Sequence, residues 1–517
     1  MRYIDYMQLN PFQKFGYNFV NFFKKLPGNI ARFFKFIGHA IVRFFVGIGK
    51  GLAGYGKRFV KGDIFVKLSY LVFGVSNMVR GQIIKGLIFL FSEVAYILFM
   101  INFGWGYISK INVTGTGVVN GETVSYPHSL GYEAMRQTFT PDGFPDTVYV
   151  DNSMLILLYS VLTIIITVVF LAVYIANTKS AFKVYEAKKN GEKIMGFREE
   201  IKSFLDEKFH ITLMSLPCLL IGCFTVLPLI FMILIAFTTY DKSHLPPGTL
   251  FQWAGLKNFG ELVNFVGGDV KARTFLSLAE WTVIWAIFAT FSNYILGMVV
   301  ALMINKKGIK LKALWRTLFV VVVAVPQFVS LLLMAQILAE NGGALNQLIE
   351  MITGNHTPIK FLNGTPLAAR ITVIIVNIWV GIPYTILITS GILMNIPADL
   401  YESATIDGAG PVKSFTKITL PYMLFVTTPY LITSFIGNIN NFNVIYLLSG
   451  GGPSNPDAYN AGHTDILVTW LFNLTMGEKQ DYKLAAAIGI LVFIVCATLS
   501  LITFNMTKSA KDEEAFS

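Results

Sequence analysis

Polar side chains recur at helical spacing in an apolar stretch near the C-terminal end of the chain. Ser434, Asn438 and Asn441 stand at positions i, i+4 and i+7, which lie on one face if the stretch is a single helix. Amides at membrane depth are costly unless they find hydrogen-bonding partners. Two explanations stay open: the amides bond to neighbouring helices, or they line a pocket for a neutral solute whose hydroxyls they can donate to and accept from.

The preceding apolar stretch offers a matching surface. Trp379 and Tyr384 have flat faces that suit a sugar ring, and Gly381 lies between them. Pro383 is expected to kink a helix and to free a backbone carbonyl. The two stretches together favour a neutral binding pocket over a charged one.

One segment imitates a nucleotide-binding loop. Gly51–Lys57 has the glycine and lysine spacing of a P-loop, but Arg58 stands where Ser or Thr must hold magnesium. No apolar strand precedes the segment. We therefore interpret it as a basic segment that binds no nucleotide.

The titratable residues do not form a catalytic or metal-binding set. Glu93 is the lone carboxylate deep in an apolar stretch, and pairing with a neighbouring helix is favoured over a proton relay because no second acid or histidine accompanies it. His463 and Asp465 are too few for a metal site, and three cysteines cannot form a disulfide framework. We expect no cofactor, no metal and no catalytic residue.

The elements that position these residues are membrane helices. The chain of 517 residues is 54% hydrophobic and 14% charged, against about 25% charged residues in soluble domains. A membrane span needs about 20 mostly apolar residues, and about eight segments qualify. They begin near Gln82, Ser153, Ile211, Glu280, Thr317, Ala368, Leu424 and Leu484.

The basic residues predict the orientation of these spans. Lys and Arg concentrate before the first span, between the second and third, and between the fourth and fifth, whereas the alternate links are poorer in both. Basic residues favour the cytoplasmic side, so both termini are expected in the cytoplasm. This placement explains the net charge of +11 without nucleic-acid binding. The mixture of phenylalanine and basic residues in Phe12–Phe65 favours an amphipathic helix on the inner leaflet over a cytoplasmic hairpin.

The link between the sixth and seventh spans has an unusual pattern. Pro397 favours the start of a short helix, and Asp399, Glu402 and Asp407 make that helix acidic. Gly408 and Gly410 permit a tight exit. A second helix is expected near Val412 to Ile418 and is expected to stop at Pro421. The pattern indicates a compact helix–turn–helix exposed to the cytoplasm, or an ordinary ordered loop.

This link resembles the EAA motif of binding-protein-dependent ABC importer permeases. The matching residues are Glu402, Ser403 and Ala404, then Gly408, Ile418, Leu420 and Pro421, with Ser403 in place of an alanine. From about Ile211 onward the chain is similar to the larger membrane subunit of maltose and malto-oligosaccharide importers. The resemblance implies an all-α permease of the type I importer fold in the bacterial cytoplasmic membrane.

The resemblance also implies roles for particular residues. The ATPase-coupling positions are Glu402, Ser403, Ala404, Asp407 and Gly408. The pocket-lining positions are Trp379, Val380, Gly381, Tyr384, Ser434, Gly437, Asn438 and Asn441. Gly437 departs from the aromatic residue that maltose-type subunits tend to have, so a longer or different oligosaccharide is allowed.

The expected partners follow from the same resemblance. They are a second homologous permease, a dimer of ATPase subunits, an extracellular solute-binding protein, the membrane lipid and the oligosaccharide. Malto-oligosaccharide is the first expectation for the sugar, and a galacto-oligosaccharide or mixed oligosaccharide is the alternative. An ion-coupled secondary transporter is disfavoured because neither acidic midplane residues nor internal repeats are clear.

The chain is accordingly divided into five regions, of which the fourth contains a coupling loop at 396–421. The regions are a basic N-terminal region 1–81; two spans in 82–175 with an extracellular loop 103–151; a basic cytoplasmic linker 176–210; the permease core 211–506; and a cytoplasmic tail 507–517. Turn formers in the 103–151 loop favour a small cap rich in β-structure.

Overall fold

A computed structural model describes residues 53–506, apart from 120–121, 133–135, 149–150, 195, 266–267 and 307, together with individual residues between 35 and 51. Much of the amphipathic helix expected over Phe12–Phe65 and all of the tail 507–517 therefore lie outside the described residues. The described residues from 35 to 61 are helical. The chain divides into two compact units at the boundary between Gly255 and Leu256.

Seven helical segments among the described residues are long and apolar enough to cross a membrane, or eight if a bent pair counts as one span. Each of the eight predicted spans coincides with one of them. The prediction of an all-α polytopic membrane protein with about eight spans is therefore confirmed. The segments are Ile83–Ile108, Ser153–Lys189, Phe209–Ile235, Val270–Asn305, the bent pair Lys312–Val323 and Gln327–Ile337, Pro366–Leu393, Pro411–Ile439 and Tyr482–Leu501.

The first unit contains short helices, three spans and two β-hairpins. Its helices are α1 (Ile64–Leu68), α2 (Val75–Val79), α3 (Ile83–Phe99), α4 (Trp105–Ile108), α5 (Ser153–Lys189), α6 (Phe197–Leu205), α7 (Phe209–Ile221) and α8 (Leu227–Ile235). Its strands are β1 (Val113–Val119), β2 (Glu122–Ser129), β3 (Arg136–Phe139) and β4 (Pro145–Val148). The π-helical turns Met100–Gly104 and Gly222–Val226 join α3 to α4 and α7 to α8.

The hairpins lie in the segment between the first two spans, where β-structure was expected. Strands β1 and β2 pair antiparallel, with Val119 opposite Glu122, and β3 and β4 pair in the same sense. Ser153, at the start of α5, donates a hydrogen bond of 2.7 Å to the Leu130 carbonyl just after β2. The hairpin segment is thereby tied to the helix that follows it.

A buried amide on α5 holds the turn between α1 and α2. Asn177 accepts from the Gly74 N–H at 2.9 Å and donates to the Ser69 carbonyl at 2.7 Å. Gly74 has φ +77°, a conformation that favours glycine. Glu93 on α3 accepts from the Phe73 N–H at 2.8 Å, so its carboxylate pairs with the turn before α2, where the sequence favoured pairing with a neighbouring helix.

Helix α5 continues past the end of its apolar stretch. The predicted boundary at 175/176 falls inside this helix, which runs to Lys189. Alanine, lysine and glutamate are good helix formers, so charge ends the membrane span there without ending the helix.

The second unit contains the remaining spans. Its helices are α9 (Lys257–Val263), α10 (Val270–Asn305), α11 (Lys312–Val323), α12 (Gln327–Ile337), α13 (Ala344–Thr353), α14 (Pro366–Leu393), α15 (Ala398–Ile406), α16 (Pro411–Ser414), α17 (Leu420–Ile439), α18 (Phe442–Ser449), α19 (Leu467–Met476) and α20 (Tyr482–Met506). A third π-helical turn, Phe415–Thr419, joins α16 to α17.

The core of this unit lies where α10, α12, α14 and α18 meet. Trp285 on α10 is fully buried and packs in one cluster with Leu331, Val373 and Ile445 from the other three helices. This packing places α10 at the centre, in contact with α14 on one side and α17 on another.

The helix that leads to Asn438 is longer than expected. The prediction of a short helix over Val412–Ile418 that stops at Pro421 is wrong, because Pro411–Ile439 is one helical run. A proline cannot donate the i−4 hydrogen bond, and its ring clashes with the carbonyl four residues earlier. For Pro421 that residue is Lys417, inside the π turn Phe415–Thr419. Because a π turn pairs residues five apart, it accommodates the proline without ending the helix.

Candidate functional site

Helix α14 presents four of the predicted pocket residues. Trp379 and Tyr384 are 51% and 58% exposed, and Val380 and Gly381 are partly exposed. Two large aromatic side chains with this exposure are available for contacts beyond the chain itself.

Gly381 marks a close approach between α14 and α10. A Cβ at this position would lie 2.3 Å from the Nδ2 of Asn293, so only glycine fits without displacing that amide. Asn293 donates to the Ala289 carbonyl at 2.9 Å. Its buried Oδ1 has no hydrogen-bond partner among the described residues. A buried polar atom without a partner is rare and calls for a physical explanation.

Trp379 does not share this contact. At 100° per residue it lies about 200° around the helix from Gly381, so it points away from Asn293. Tyr384 lies only about 60° from Gly381 by the same count. The structure thus brings Tyr384 to the side of Gly381 and leaves Trp379 on the other side of α14.

The predicted amide stripe is interrupted. Helix α17 ends at Ile439, Asn440 is its C-cap, and Asn441 is the N-cap of the next helix, α18. The expectation that Ser434, Asn438 and Asn441 lie on one helix face is therefore wrong for Asn441. The physical reason is local: asparagine side chains compete with helical hydrogen bonds and favour caps, and the Asn441 Oδ1 accepts from the Val444 N–H at 3.3 Å.

The two amides nevertheless meet. Asn441 donates to the Oδ1 of Asn438 at 3.2 Å, and Asn438 donates to the Oγ1 of Thr290 on α10 at 2.9 Å. The backbone carbonyl of Asn438 accepts from the Trp285 indole at 3.1 Å. Interhelical bonding, the first of the two explanations left open, is thus present. Among the described residues, each of these two amides donates one of the two N–H groups that an amide has.

Helix α10 joins the two halves of the candidate pocket. Thr290, which bonds to Asn438, and Asn293, which packs on Gly381, are three residues apart and hence neighbours on one helix face. Ser434 is partly exposed, and a Cβ at the exposed Gly437 would meet nothing within 4 Å. Open space beside Gly437 agrees with a pocket wider than an aromatic residue would allow.

Sequence reasoning missed two buried amides, one on α10 and one on α14. Besides Asn293, Asn377 on α14 is only 4% exposed, and its Nδ2 has no partner among the described residues. A signal existed, because an asparagine in an apolar helix is itself a reason to suspect function. Neither residue stood in a pattern, so spacing alone did not reveal them.

The link after α14 forms the short acidic helix that was expected. Helix α15 begins after Pro397, its N-cap, and has Asp399 in its first turn, where a carboxylate stabilises the positive end of the helix. Glu402 and Asp407 are exposed. Three carboxylates therefore face solvent within nine residues.

Gly408 sets the exit from this helix. The N–H of Gly408 bonds to the Thr405 carbonyl at 3.0 Å, and that of Ala409 bonds to the Ala404 carbonyl at 2.8 Å. Together with φ +73° at Gly408, this is a Schellman motif, which needs a left-handed residue after the helix. Gly410 has φ −71° and makes no such demand.

Helix α15 is tied to the membrane helix behind it. The Tyr401 hydroxyl and the Thr419 hydroxyl are 2.8 Å apart, and Thr419 lies in the helical run that continues to Ile439. On the outer side Ile406 and Val412 are 87% and 77% exposed. Helix α15 is thus attached to a membrane helix on one side and exposes apolar and acidic side chains on the other. Such an exposed patch is typical of a docking surface.

The loop that contains His463 and Asp465 is a structural unit. Asp465 is 1% exposed and accepts from the Gly462 N–H at 2.7 Å and from Asn473 at 3.1 Å. Burial raises the pKa of its carboxyl above the ordinary value, against the effect of these hydrogen bonds. Burial, with a contribution from Arg370, lowers the pKa of His463. These contacts order the loop around His463 and Asp465.

The sequence also matches a known family. The family model described as "Binding-protein-dependent transport system inner membrane component" matches residues 293–508. That stretch begins at Asn293 on α10 and contains the predicted pocket positions on α14 and α17 as well as the loop 396–421 that was predicted to couple to the ATPase.

Individual relatives extend the match toward the N-terminus. The chain is 33% identical over 452 residues to the galactooligosaccharides transport system permease protein GanP of Bacillus subtilis (strain 168), covering 85% of this chain and 96% of that protein. It is 35% identical over 392 residues to the maltodextrin transport system permease protein MdxF of the same strain, covering 74% and 88%. The maltose/maltodextrin transport system permease protein MalF of Escherichia coli (strain K12) is 36% identical over 276 residues, covering 53% and 52%.

These relationships extend over most of the chain and agree with its architecture. A relative at 33% identity spans nearly its whole own length here, and the described helices supply seven or eight membrane spans. The chain therefore belongs to the family of binding-protein-dependent transport system inner membrane components, and it is a multi-pass ABC importer permease of the inner membrane.

Proposed function

We propose that this permease moves an oligosaccharide, in the first place a malto-oligosaccharide, through the membrane at the expense of ATP that a separate subunit hydrolyses. It works beside a second homologous permease and two ATPase subunits, and an extracellular binding protein delivers the sugar. Both termini lie in the cytoplasm, which puts the coupling loop 396–421 on the side of the ATPase.

The observation that supports this proposal most is the surface of α15. Glu402, Ser403 and Asp407 are exposed, and Ala404 lies partly exposed beside them. Exposed apolar side chains at Ile406 and Val412 adjoin these residues. In water such a surface is explained by a partner that covers the apolar residues and supplies a basic group for Glu402.

The connection from this surface to the pocket is direct. The helical run Pro411–Ile439 has 29 residues, or about 43 Å at 1.5 Å per residue. One end adjoins Gly408, and the other end presents Ser434, Gly437 and Asn438. A displacement of α15 by the ATPase is thereby transmitted along a single helix, whose anchor is the Tyr401–Thr419 hydrogen bond.

A neutral sugar suits the groups that line the proposed pocket. The residues concerned are amides, a serine and aromatic rings, and none is a carboxylate or a cation. Val380 and Gly381 leave part of the α14 surface open to the sugar. Asn441, the N-cap of α18, lies just beyond the end of α17. Amides and hydroxyls pair with sugar hydroxyls. Tyr384 offers a stacking face on the Gly381 side of α14, and the predicted stacking face of Trp379 lies on the other side of that helix.

A galacto-oligosaccharide is the second candidate. The relative whose match covers 85% of this chain is named for galactooligosaccharides, and one that covers 74% is named for maltodextrin. The open space at Gly437 is compatible with either sugar. The maltodextrin assignment comes first because the chain from about Ile211 onward resembles the larger membrane subunit of maltose and malto-oligosaccharide importers.

An ion-coupled carrier has less support. Such a carrier would use a free carboxylate in the membrane, and Glu93 accepts a hydrogen bond from the Phe73 N–H. Its carboxylate is therefore already engaged in holding a backbone turn.

The test uses proteoliposomes that contain the permease pair, the ATPase and the binding protein. We expect ATP hydrolysis to rise with maltotriose-loaded binding protein, and Glu402→Lys to abolish that rise. Asp457→Lys is the matched control, since Asp457 is an exposed carboxylate in a different loop. The Asp457→Lys variant should leave co-purification of the permease with the ATPase unchanged.

Three results would contradict the proposal in distinguishable ways. Uptake without the ATPase would favour the ion-coupled carrier. Stimulation by galactosides alone would replace the sugar and leave the importer intact. Full activity of a Glu402→Lys, Gly408→Pro double variant would refute the coupling role of α15.

A further inference from the structure

A cavity of about 710 Å³ lies in the first unit between α5 and the described helical residues from 35 to 61, which form the basic N-terminal helix. The residues that the N-terminal helix contributes recur every three or four positions, so they share one face. Its lining residues on the two helices are Arg43, Gly47, Lys50, Gly51, Gly54, Tyr55 and Arg58, and Leu171, Tyr174, Ile175 and Lys179.

The cavity is strongly cationic. Arg43, Lys50, Arg58 and Lys179 line it, and no carboxylate does. In the part of the chain that the structure describes, none of the four forms an ion pair. The Nε of Arg58 is buried and has no hydrogen-bond partner there. Four cations around one space repel each other unless an anion lies among them.

The other wall is apolar and belongs to a membrane helix. Leu171, Ile175 and Lys179 follow each other at intervals of four on α5, which is long and apolar enough to cross the membrane. Both aliphatic side chains are about half exposed. Tyr55 and Tyr174 join the two helices through a hydrogen bond between their hydroxyl groups. The wall therefore changes from aliphatic to cationic along one helix face.

Missing side chains provide the space. A Cβ at Gly47 or at Gly51 would meet nothing within 4 Å. Larger residues at these two positions would fit the backbone and would fill the cavity.

We propose that this cavity binds one anionic phospholipid, with the phosphate among the four cations and the start of an acyl chain along Leu171 and Ile175. Anionic lipids attract clusters of Lys and Arg next to membrane spans. A free phosphate would satisfy the cations and leave the aliphatic wall exposed to water. A phospholipid matches both halves of the cavity. The site is separate from the sugar pathway and goes beyond the proposed function.

The test measures lipid binding to the full-length chain in detergent by native mass spectrometry, with dioleoyl-phosphatidylglycerol as the probe. We expect Lys50→Gln/Lys179→Gln to weaken binding about thirtyfold, from roughly fivefold for each cation near a lipid. Lys57→Gln/Lys188→Gln removes the same charge from exposed positions on the same two helices outside the cavity. This control should change the affinity less than about threefold.

A second pair of variants tests the space and not the charge. Gly47→Leu/Gly51→Leu should abolish the tight lipid adduct. Gly49→Leu/Gly56→Leu should keep it, because those two glycines also have open space but do not line the cavity. Both pairs replace glycine by a better helix former, so thermal unfolding should show no loss of stability in either.

Three outcomes would overturn the lipid assignment. The first is equal affinity for dioleoyl-phosphatidylcholine, which would remove the role of the cations. The second is displacement of the lipid by inorganic phosphate at millimolar concentration, which would indicate a phosphate site. The third is an equal loss in the variants and their controls, which would indicate unspecific attraction to a basic surface.

Discussion

The acidic helix α15 and the amide groups at the far end of the helical run Pro411–Ile439 use polar residues in opposite ways. Glu402 and Asp407 face water together with apolar Ile406 and Val412. Asn438 and Asn441 bond to each other and to α10. The first surface leaves its acidic and apolar side chains exposed, whereas the amides of the second hydrogen-bond within the chain.

The difference shows where information about function lies in this permease. The side chains of a docking surface stay exposed in the free protein, so such a surface is visible as an exposed acidic and apolar patch. A pocket for a neutral solute must survive without the solute, so its amides bond to each other in the meantime. Substitutions at the two ends should therefore differ in whether they affect folding or coupling.

The largest effect is expected at the close approach of α14 to α10. Gly381→Val should lower the free energy of unfolding by about 1–3 kcal/mol, since a side chain there displaces Asn293. Thermal unfolding in detergent measures this loss. Gly391→Val is the matched control on the same helix, where a Cβ would meet nothing within 4 Å. Equal destabilisation by both variants would show that the close approach to Asn293 is not responsible, since valine is a better helix former than glycine.

A smaller loss of free energy of unfolding is expected at the exit of α15, where a substitution should mainly affect ATP hydrolysis. Gly408→Val places a branched residue at φ +73°, which costs about 1–2 kcal/mol. We expect sugar-stimulated ATP hydrolysis to fall about tenfold while the membrane helices stay folded. Gly410→Ala, at φ −71°, should retain activity. Loss of activity in both would mean that the loop tolerates no side chain at all.

The amide contacts should contribute less to the free energy of unfolding than Gly381 or Gly408 does. Asn438→Ala removes the bond to Thr290 and the acceptor of Asn441, and interhelical bonds of this kind in membranes contribute about 0.6 kcal/mol each. We expect a small fall in the melting temperature. We also expect a clear rise in the KM for sugar uptake. Thr290→Val tests the same bond from the other helix. A fall in stability without any change in KM would assign Asn438 to packing alone.

The smallest effect concerns an acid that is buried and not exposed. Burial raises the pKa of Asp465 in the folded state, so the fold favours the protonated carboxyl. The contribution of the protonated Asp465 to stability is complete below its pKa in the unfolded chain, about 4. That contribution is lost as the pH rises through the raised pKa of the folded state. Asp465→Asn should remove this loss and add less than about 1 kcal/mol at pH 8.

Thermal unfolding between pH 4 and pH 8 measures this difference. Asp457→Asn replaces an exposed carboxylate of the same loop and should leave the profile as it is. A wild-type profile that does not decline with rising pH would contradict the role assigned to burial.

The spans were predictable because apolar length is a local property. The second begins at Ser153 as predicted, and the sixth begins at Pro366, two residues before its predicted start. The fourth begins at Val270 and not near Glu280, since a helix continues beyond its apolar stretch wherever residues with good helix propensity and a cap such as Asp269 extend it. Apolar length locates a membrane crossing more accurately than it locates a helix end.

The coupling loop was equally predictable, except at Pro421. Its proline, carboxylates and glycines act within a few residues of each other, so their order in the chain defines a helix and a turn. The helical run past Pro421 was missed because the proline by itself predicted a helix end, and the π turn Phe415–Thr419 that accommodates it was not anticipated.

By itself, the sequence determined that this chain is a polytopic membrane protein with an acidic, glycine-terminated helix between two spans, because hydropathy, caps and turns act over short distances. Only the tertiary structure decided how the amides are used. Asn438 and Thr290 are 148 positions apart, and the contact of Asn293 with Gly381 likewise joins two helices. Whether a polar side chain lines a pocket or bonds to a neighbour depends on the residue opposite it, and only the packing of the helices selects that residue.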